Sequence, residues 1–270
     1  MTSPATVLGP GSAAPQRSSL YWTIADSLVL TRRNLLQYVR VPELLIFSTI
    51  QPVMFVLLFR FVFGGAINVP AASYASYLLP GVFVQTVVFG STTAAVALAY
   101  DLKGGMIDRF RSLPMARSAV LAGRTAADAV RNLFVIILMI LVGYAVDFRF
   151  EGGFFGALGA MAIALLFGYA FSWFFALVGL LVRDPETAQV AGFVPLFPLV
   201  FASSIFVSPA TMPSWLRTFA EHQPITKVTN AVRGLSLGTA STRDVVVALL
   251  WIAAMLLVFA PLATWRYRKG

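Results

Sequence analysis

The side chains able to make specific contacts inside this chain's apolar runs are uncharged. Ser48, Thr49 and Gln51 lie in one run, Gln85, Thr86, Ser91, Thr92 and Thr93 in the next, and Ser203 and Ser204 in a later one. Hydroxyls and amides donate and accept hydrogen bonds without carrying charge. Two uses fit that chemistry: lining a passage for an amphiphilic solute, or bonding one helix to another. Spacing alone favours neither. Bond-breaking chemistry is poorly provided for. The absence of cysteine removes thiolate catalysis, disulfides and Cys-bound metal. His222 is the single histidine and, beside Glu221, reads as a surface residue. No GxxxxGK[ST] loop occurs to cradle a nucleotide phosphate, and no HExxH to hold zinc. Away from their ends the apolar runs hold no Asp or Glu, so a proton relay or a carboxylate-based hydrolase finds no residues. No cofactor and no metal are expected in this chain.

Charge collects elsewhere. Residues 101–124 read DLKGGMIDRFRSLPMARSAVLAGR, a basic stretch punctuated by Gly and Pro between two apolar runs. A segment this polar does not lie in hydrocarbon. Gly104-Gly105 and Pro114 delimit a short helix, with Met106, Ile107 and Phe110 on one side and Asp108, Arg109 and Arg111 on the other. An apolar knob in a charged rim suits a groove on a cytoplasmic partner. Resting on anionic lipid is the other use.

Long apolar elements must position these groups. The chain has 270 residues, 59% hydrophobic and 11% charged, with a mean hydropathy of +0.82. Soluble domains carry about 25% charged residues. The pattern is that of an all-α, multi-pass membrane protein. Six transmembrane helices are predicted, at 44–63, 78–100, 126–146, 154–182, 188–207 and 245–265. The third is the weakest, because Asp128, Arg131 and Asn132 occupy its first turns and are predicted at headgroup level. Residues 1–19, rich in Pro and Gly, read as a disordered tail, and 20–270 as one membrane domain.

Two further elements flank the spans. Residues 20–40 are amphipathic, with Tyr21, Ile24, Leu28, Leu35 and Val39 on one face and Asp26, Arg33, Gln37 and Arg40 on the other. With Arg32 adding charge, this is a helix lying in the cytoplasmic interface or packed on a soluble partner. Residues 208–243 carry two short helices, one around Trp215, Leu216 and Phe219, the other around Ile225, Val228, Val232 and Leu235. Pro224 ends the first and Gly238 the second. Such a hairpin either dips into the outer leaflet or lies on the surface. Gly152, Gly156 and Gly159 allow a close helix contact.

Charge sets the orientation. With the N-terminus inside, cytoplasmic segments hold fourteen basic residues and external ones five, so both termini are predicted cytoplasmic. The net charge of +9 is then explained by membrane lipid headgroups, and no nucleic-acid partner is expected.

With these residues in view, the chain resembles the membrane subunit of a type-2 ABC exporter and, more narrowly, is similar to the daunorubicin-resistance permeases. The match rests on the interfacial helix, Leu79-Pro80-Gly81, and Ile107-Asp108-Arg109-Phe110-Arg111-Ser112-Leu113-Pro114. It rests also on Gln223-Pro224-Ile225-Thr226 with Ala231-Val232-Arg233-Gly234. Where many relatives carry a Glu-rich stretch before the loop glycine, this chain has Asp101-Leu102-Lys103. The resemblance implies a permease in the cell inner membrane that exports a hydrophobic or amphiphilic drug, lipid or glycolipid. Two permease subunits, identical or paralogous, would form the pathway, and two copies of a separate ATP-binding subunit would bind ATP and Mg and drive it. Gly104, Met106, Ile107, Asp108, Arg109, Phe110 and Arg111 would form the coupling helix. The helix bearing Arg32, Arg33 and Arg40 would ride on the same subunits, and the external hairpin would close the outer mouth. Gln51, Gln85, Thr86, Ser91, Thr92, Ser203 and Ser204 would line the pathway. A secondary carrier and a non-transporting scaffold are the alternatives.

Overall fold

The computed structural model describes residues 19–63, 73–112, 117–182 and 184–269. The predicted tail, apart from Ser19, lies outside them, as do Leu113 and Pro114 of the predicted coupling motif. Every regular element among the described residues is helical. In order they are α1 (Ser19–Arg40), α2 (Glu43–Leu58) running into a π-turn (Phe59–Phe63), α3 (Tyr74–Lys103), α4 (Met106–Ser112) and α5 (Arg117–Ala145). There follow α6 (Gly153–Leu181), α7 (Pro185–Phe201), a 3-10 turn (Pro209–Thr211), α8 (Ser214–His222), α9 (Pro224–Leu237) and α10 (Thr242–Lys269).

Local chemistry sets the boundaries. Ser73 Oγ accepts the Ser76 N–H at 3.1 Å and caps α3. Gly105, at φ +65, turns the chain from α3 into α4. Asp184 Oδ2 accepts the Thr187 N–H at 3.1 Å and, with Pro185 as first helical residue, starts α7. Gly238, at φ +71, ends α9.

Four helices, α3, α5, α6 and α10, are long and apolar enough to cross a bilayer. The chain is a multi-pass helical membrane protein. The first and fifth predicted spans are delivered differently. α2 has 16 residues before its π-turn, and α7 has 17. At 1.5 Å per residue α7 rises about 25 Å, less than the roughly 30 Å of hydrocarbon. Residues 202–207, which the apolar run assigns to the same span, leave the helix and turn.

α3 is the central helix. It is apolar nearly all round and buried against α6, α7, α5 and α9. α6 approaches it closely because Gly179 sits on the Ala95 backbone and Gly168 on Val87. Gly152, just before α6, and Gly156 and Gly159 within it all face Leu235 of α9. A second apolar cluster, at the end carrying α4, joins Leu30, Leu98, Ile107, Leu121, Trp173 and Tyr267. α1 packs Leu30, Asn34 and Tyr38 toward α5 and leaves Tyr21, Ile24, Leu28 and Val39 exposed.

Candidate functional site

A cavity of about 480 Å³ lies between α1, α2, α3, α5 and α7. Phe55, Phe89, Val135 and Phe193 give it apolar walls. Gln51, Gln85, Thr86, Thr92 and Thr93 give it neutral polar ones, and Arg33, Asp101, Arg124 and Arg131 bring charge. Mostly apolar clefts with a few convergent polar groups are the usual form of a small-molecule site.

The charged part is built from α5. Arg124, Asp128, Arg131 and Asn132 all turn inward and are buried. Arg124 pairs with Asp128 at 3.5 Å and donates to the Thr93 carbonyl at 3.3 Å. Asp128 Oδ1 also accepts from Tyr38 Oη at 3.4 Å and Thr93 Oγ1 at 3.3 Å. Burial, followed by the nearby Asp128 charge, raises the Tyr38 hydroxyl above its ordinary value. Arg131 Nη2 donates to the Gly90 carbonyl and to Asn132 Oδ1, the latter at 2.9 Å. A Cβ at Gly90 would stand 2.6 Å from both Arg131 Nη2 and Asn132 Oδ1, so a side chain there would push both groups aside.

This corrects the expectation for the third span. Asp128, Arg131 and Asn132 do not occupy the first turns of the helix, because α5 begins at Arg117, nine residues before the predicted start. They lie three to four turns inside the helix, shielded by α1 and α3. Asp128, near the start of the third predicted run, faces inward and is tied to Arg124. The signal was present in the sequence as Arg124-x-x-x-Asp128, an i,i+4 pair on one face.

The other predicted residues divide. Gln51, Gln85, Thr86 and Thr92 line the cavity. Ser91 does not; its Oγ donates to Val87 and Gly168 carbonyls and joins α3 to α6. Ser203 and Ser204 lie in the turn after α7. Ser203 Oγ donates to the Val200 carbonyl at 2.5 Å, and Ser204 Oγ bonds Asn230 Oδ1 at 2.8 Å. Gly104 and Arg109 are exposed, and Asp108 and Arg111 belong to the same short helix, α4. Met106 and Phe110 are half-buried, and Ile107 is 1% exposed, packed into the chain's own core instead of standing out as a knob. Arg32 and Arg40 are exposed on α1. Arg33 lines the cavity, lies 3.9 Å from Asp101, and holds its guanidinium 5.2 Å from the Phe110 ring centroid.

The ABC-2 type transporter family matches residues 26–237, a stretch that takes in the cavity, α4, α8 and α9. This chain belongs to that family. It is 35% identical, over 98% of its length and 92% of the relative's, to the daunorubicin resistance ABC transporter permease protein DrrB1 of Streptomyces coeruleorubidus. It is 25% identical, over 100% of its length and 98% of the relative's, to the probable doxorubicin resistance permease DrrC of Mycobacterium tuberculosis. With the doxorubicin resistance permease DrrB of that organism it shares 28% over 76% of its length and 68% of the relative's. The cavity and the Arg33–Phe110 contact are thus features of an ABC-2 permease. No group of three or more His, Cys, Asp or Glu that could hold a metal occurs among the described residues.

Proposed function

We propose that this chain is the membrane-spanning subunit of an ATP-driven exporter of a hydrophobic or amphiphilic compound. A second permease subunit, identical or paralogous, completes the pathway. Two copies of a separate ATP-binding subunit hold ATP and Mg below it. α2 and α7 join the four long helices to make six crossings, with the turn after α7 bonded to α9. Both termini are cytoplasmic in the cell inner membrane, as the fourteen-to-five basic bias requires.

One observation carries the reading: Arg33 belongs to the cavity wall and to α4's surroundings at once. Its guanidinium faces Asp101 at 3.9 Å and the Phe110 ring at 5.2 Å. A shift of α4 imposed by a partner would move a group that lines the cavity. The names of the relatives, daunorubicin and doxorubicin resistance permeases, support drug cargo, and the exposed apolar face of α1 supports contact with lipid.

The test is a detergent pull-down of the tagged chain from its native membrane, with and without charge reversal at Arg109 and Arg111. An ATP-binding subunit should co-purify with the wild type and be lost on reversal. Wild-type material free of any ATP-binding subunit would overturn the reading. The secondary carrier is the second reading, and buried Asp128 is the observation in its favour. Its pairing with Arg124 makes it a fixed ion pair instead of a free proton acceptor.

A further inference from the structure

Among the charges around the cavity, one has no counter-charge. Asp101 faces Arg33, and Asp128 faces Arg124. Arg131 is 4% exposed, and among the described residues no carboxylate pairs with it. It donates to two neutral oxygens, the Gly90 carbonyl and Asn132 Oδ1. A buried cation satisfied only by dipoles is costly unless an anion joins it. Polar atoms beside it also lack partners. Arg131 Nε, Asn132 Nδ2, Gln85 Oε1 and Thr86 Oγ1 are buried without a hydrogen bond, on residues 1% to 6% exposed that all line the cavity. Three of the four can donate. Opposite this polar end, Phe55, Phe89 and Phe193 supply apolar wall.

From this geometry we propose that the cavity binds an amphiphile with an anionic headgroup, a carboxylate or phosphate. Arg131 neutralises the headgroup, Asn132 and Thr86 donate to it, and the tail lies along the phenylalanines. The proposal rests on the cavity being the cargo passage and adds the cargo's charge. The same chemistry is met by an acidic cargo or by an acidic lipid of the bilayer.

The test uses the purified full chain in neutral detergent and three fluorescent probes sharing one alkyl tail: a carboxylate, its methyl ester and a quaternary ammonium. The carboxylate should bind the wild type about tenfold or more tighter than the ester, the usual scale for a charge-assisted hydrogen bond. Arg131→Gln should bring acid and ester together, and Arg131→Lys should keep the preference. Equal binding of acid and ester to the wild type, or tightest binding of the ammonium, would overturn the headgroup site and leave the passage reading standing. No binding of any probe would overturn both, while the pull-down still reports on the ATP-binding partner. Should Arg131→Gln fail to fold, the wild-type contrast and Arg131→Lys decide. A repeat in phosphatidylcholine vesicles with and without phosphatidylglycerol separates the sources. Displacement of the carboxylate probe assigns the site to a bilayer lipid, and retention assigns it to acidic cargo; either supports the anionic site.

Discussion

The Arg233 guanidinium lies 3.6 Å from the centroid of the Tyr77 ring, while its Nε donates to the Tyr77 carbonyl oxygen at 2.9 Å. Nη2 of the same group donates to the Ser204 carbonyl at 2.7 Å. One side chain from α9 thus holds α3 and the turn after α7. Burial pulls the guanidinium down to about 10, which leaves it a cation at neutral pH. Arg233→Ala strips acceptors that have no water to replace it, and should cost about 2–3 kcal/mol in thermal unfolding followed in detergent. Arg233→Lys should recover only part, since an ammonium cannot span both carbonyls as a planar fork does. Full recovery by lysine would reduce the interaction to charge on an aromatic ring.

Asp128→Asn should be among the most damaging conservative changes in the chain. It leaves Arg124, itself buried, without a counter-charge, and breaking such a pair costs about 3–5 kcal/mol. Replacing both, Arg124→Met with Asp128→Leu, should cost clearly less than the single change. A double-mutant cycle on unfolding midpoints measures the difference. Equal losses would show that Tyr38 and Thr93, not the ion pair, dominate at Asp128.

Ile107 anchors α4 to the bundle. Ile107→Ala should cost about 2–4 kcal/mol, the range for deleting a buried aliphatic side chain. Amide hydrogen exchange in α4 should rise more than in α3 or α6. A uniform rise across all three would place Ile107 in the global core and deny α4 a separate anchor.

The start of α7 should respond to acid. The Thr187 N–H first, and the Lys103 side chain next at 3.2 Å, hold the Asp184 carboxyl below the ordinary aspartate range. A depressed folded-state value stabilises the cap above the free value of about 4 and loses that stabilisation as pH falls through the folded value. Exchange at the Thr187 amide, corrected for its intrinsic pH dependence, should therefore quicken below about pH 4. In Asp184→Asn the acid-side change should vanish. A wild-type amide indifferent to pH across that window would remove the carboxylate from the cap.

Much of this architecture is legible in the sequence because apolar length is a strong signal. The runs behind α3, α5, α6 and α10 leave little else for those residues to be. Pro224 and Gly238 mark the ends of α9 because each constrains or frees φ in a way few residues can. Faces are harder. Ser91 and Thr92 are neighbours with the same chemistry, yet one turns to Gly168 and the other to the cavity. Periodicity gives the angle between them but not which neighbouring helix stands on which side. The same limit hides Arg131. Its place in a first turn is inferred from where apolar residues begin, whereas the helix extends well before them. Ile107 reads as an outward knob because amphipathicity shows that a face is apolar and is silent on whether the chain itself covers it.

The turn after α7 is held by side chains from distant parts of the chain. Gln223 Nε2 donates to the Leu199 and Ala202 carbonyls, each at 2.7 Å, and Thr226 Oγ1 accepts the Ser204 N–H at 3.2 Å. Tyr77 Oη and Tyr74 Oη reach the Ser204 and Phe206 carbonyls. Six residues of non-helical backbone are therefore spelled out by groups more than twenty and more than a hundred positions away. Chimeras between related permeases inherit that wiring. A crossover placed between residues 199 and 226 separates a carbonyl from the donor that serves it. A graft of this region has to travel as one piece from the end of α7 through α9, and onto a recipient whose α3 already offers two tyrosines in register.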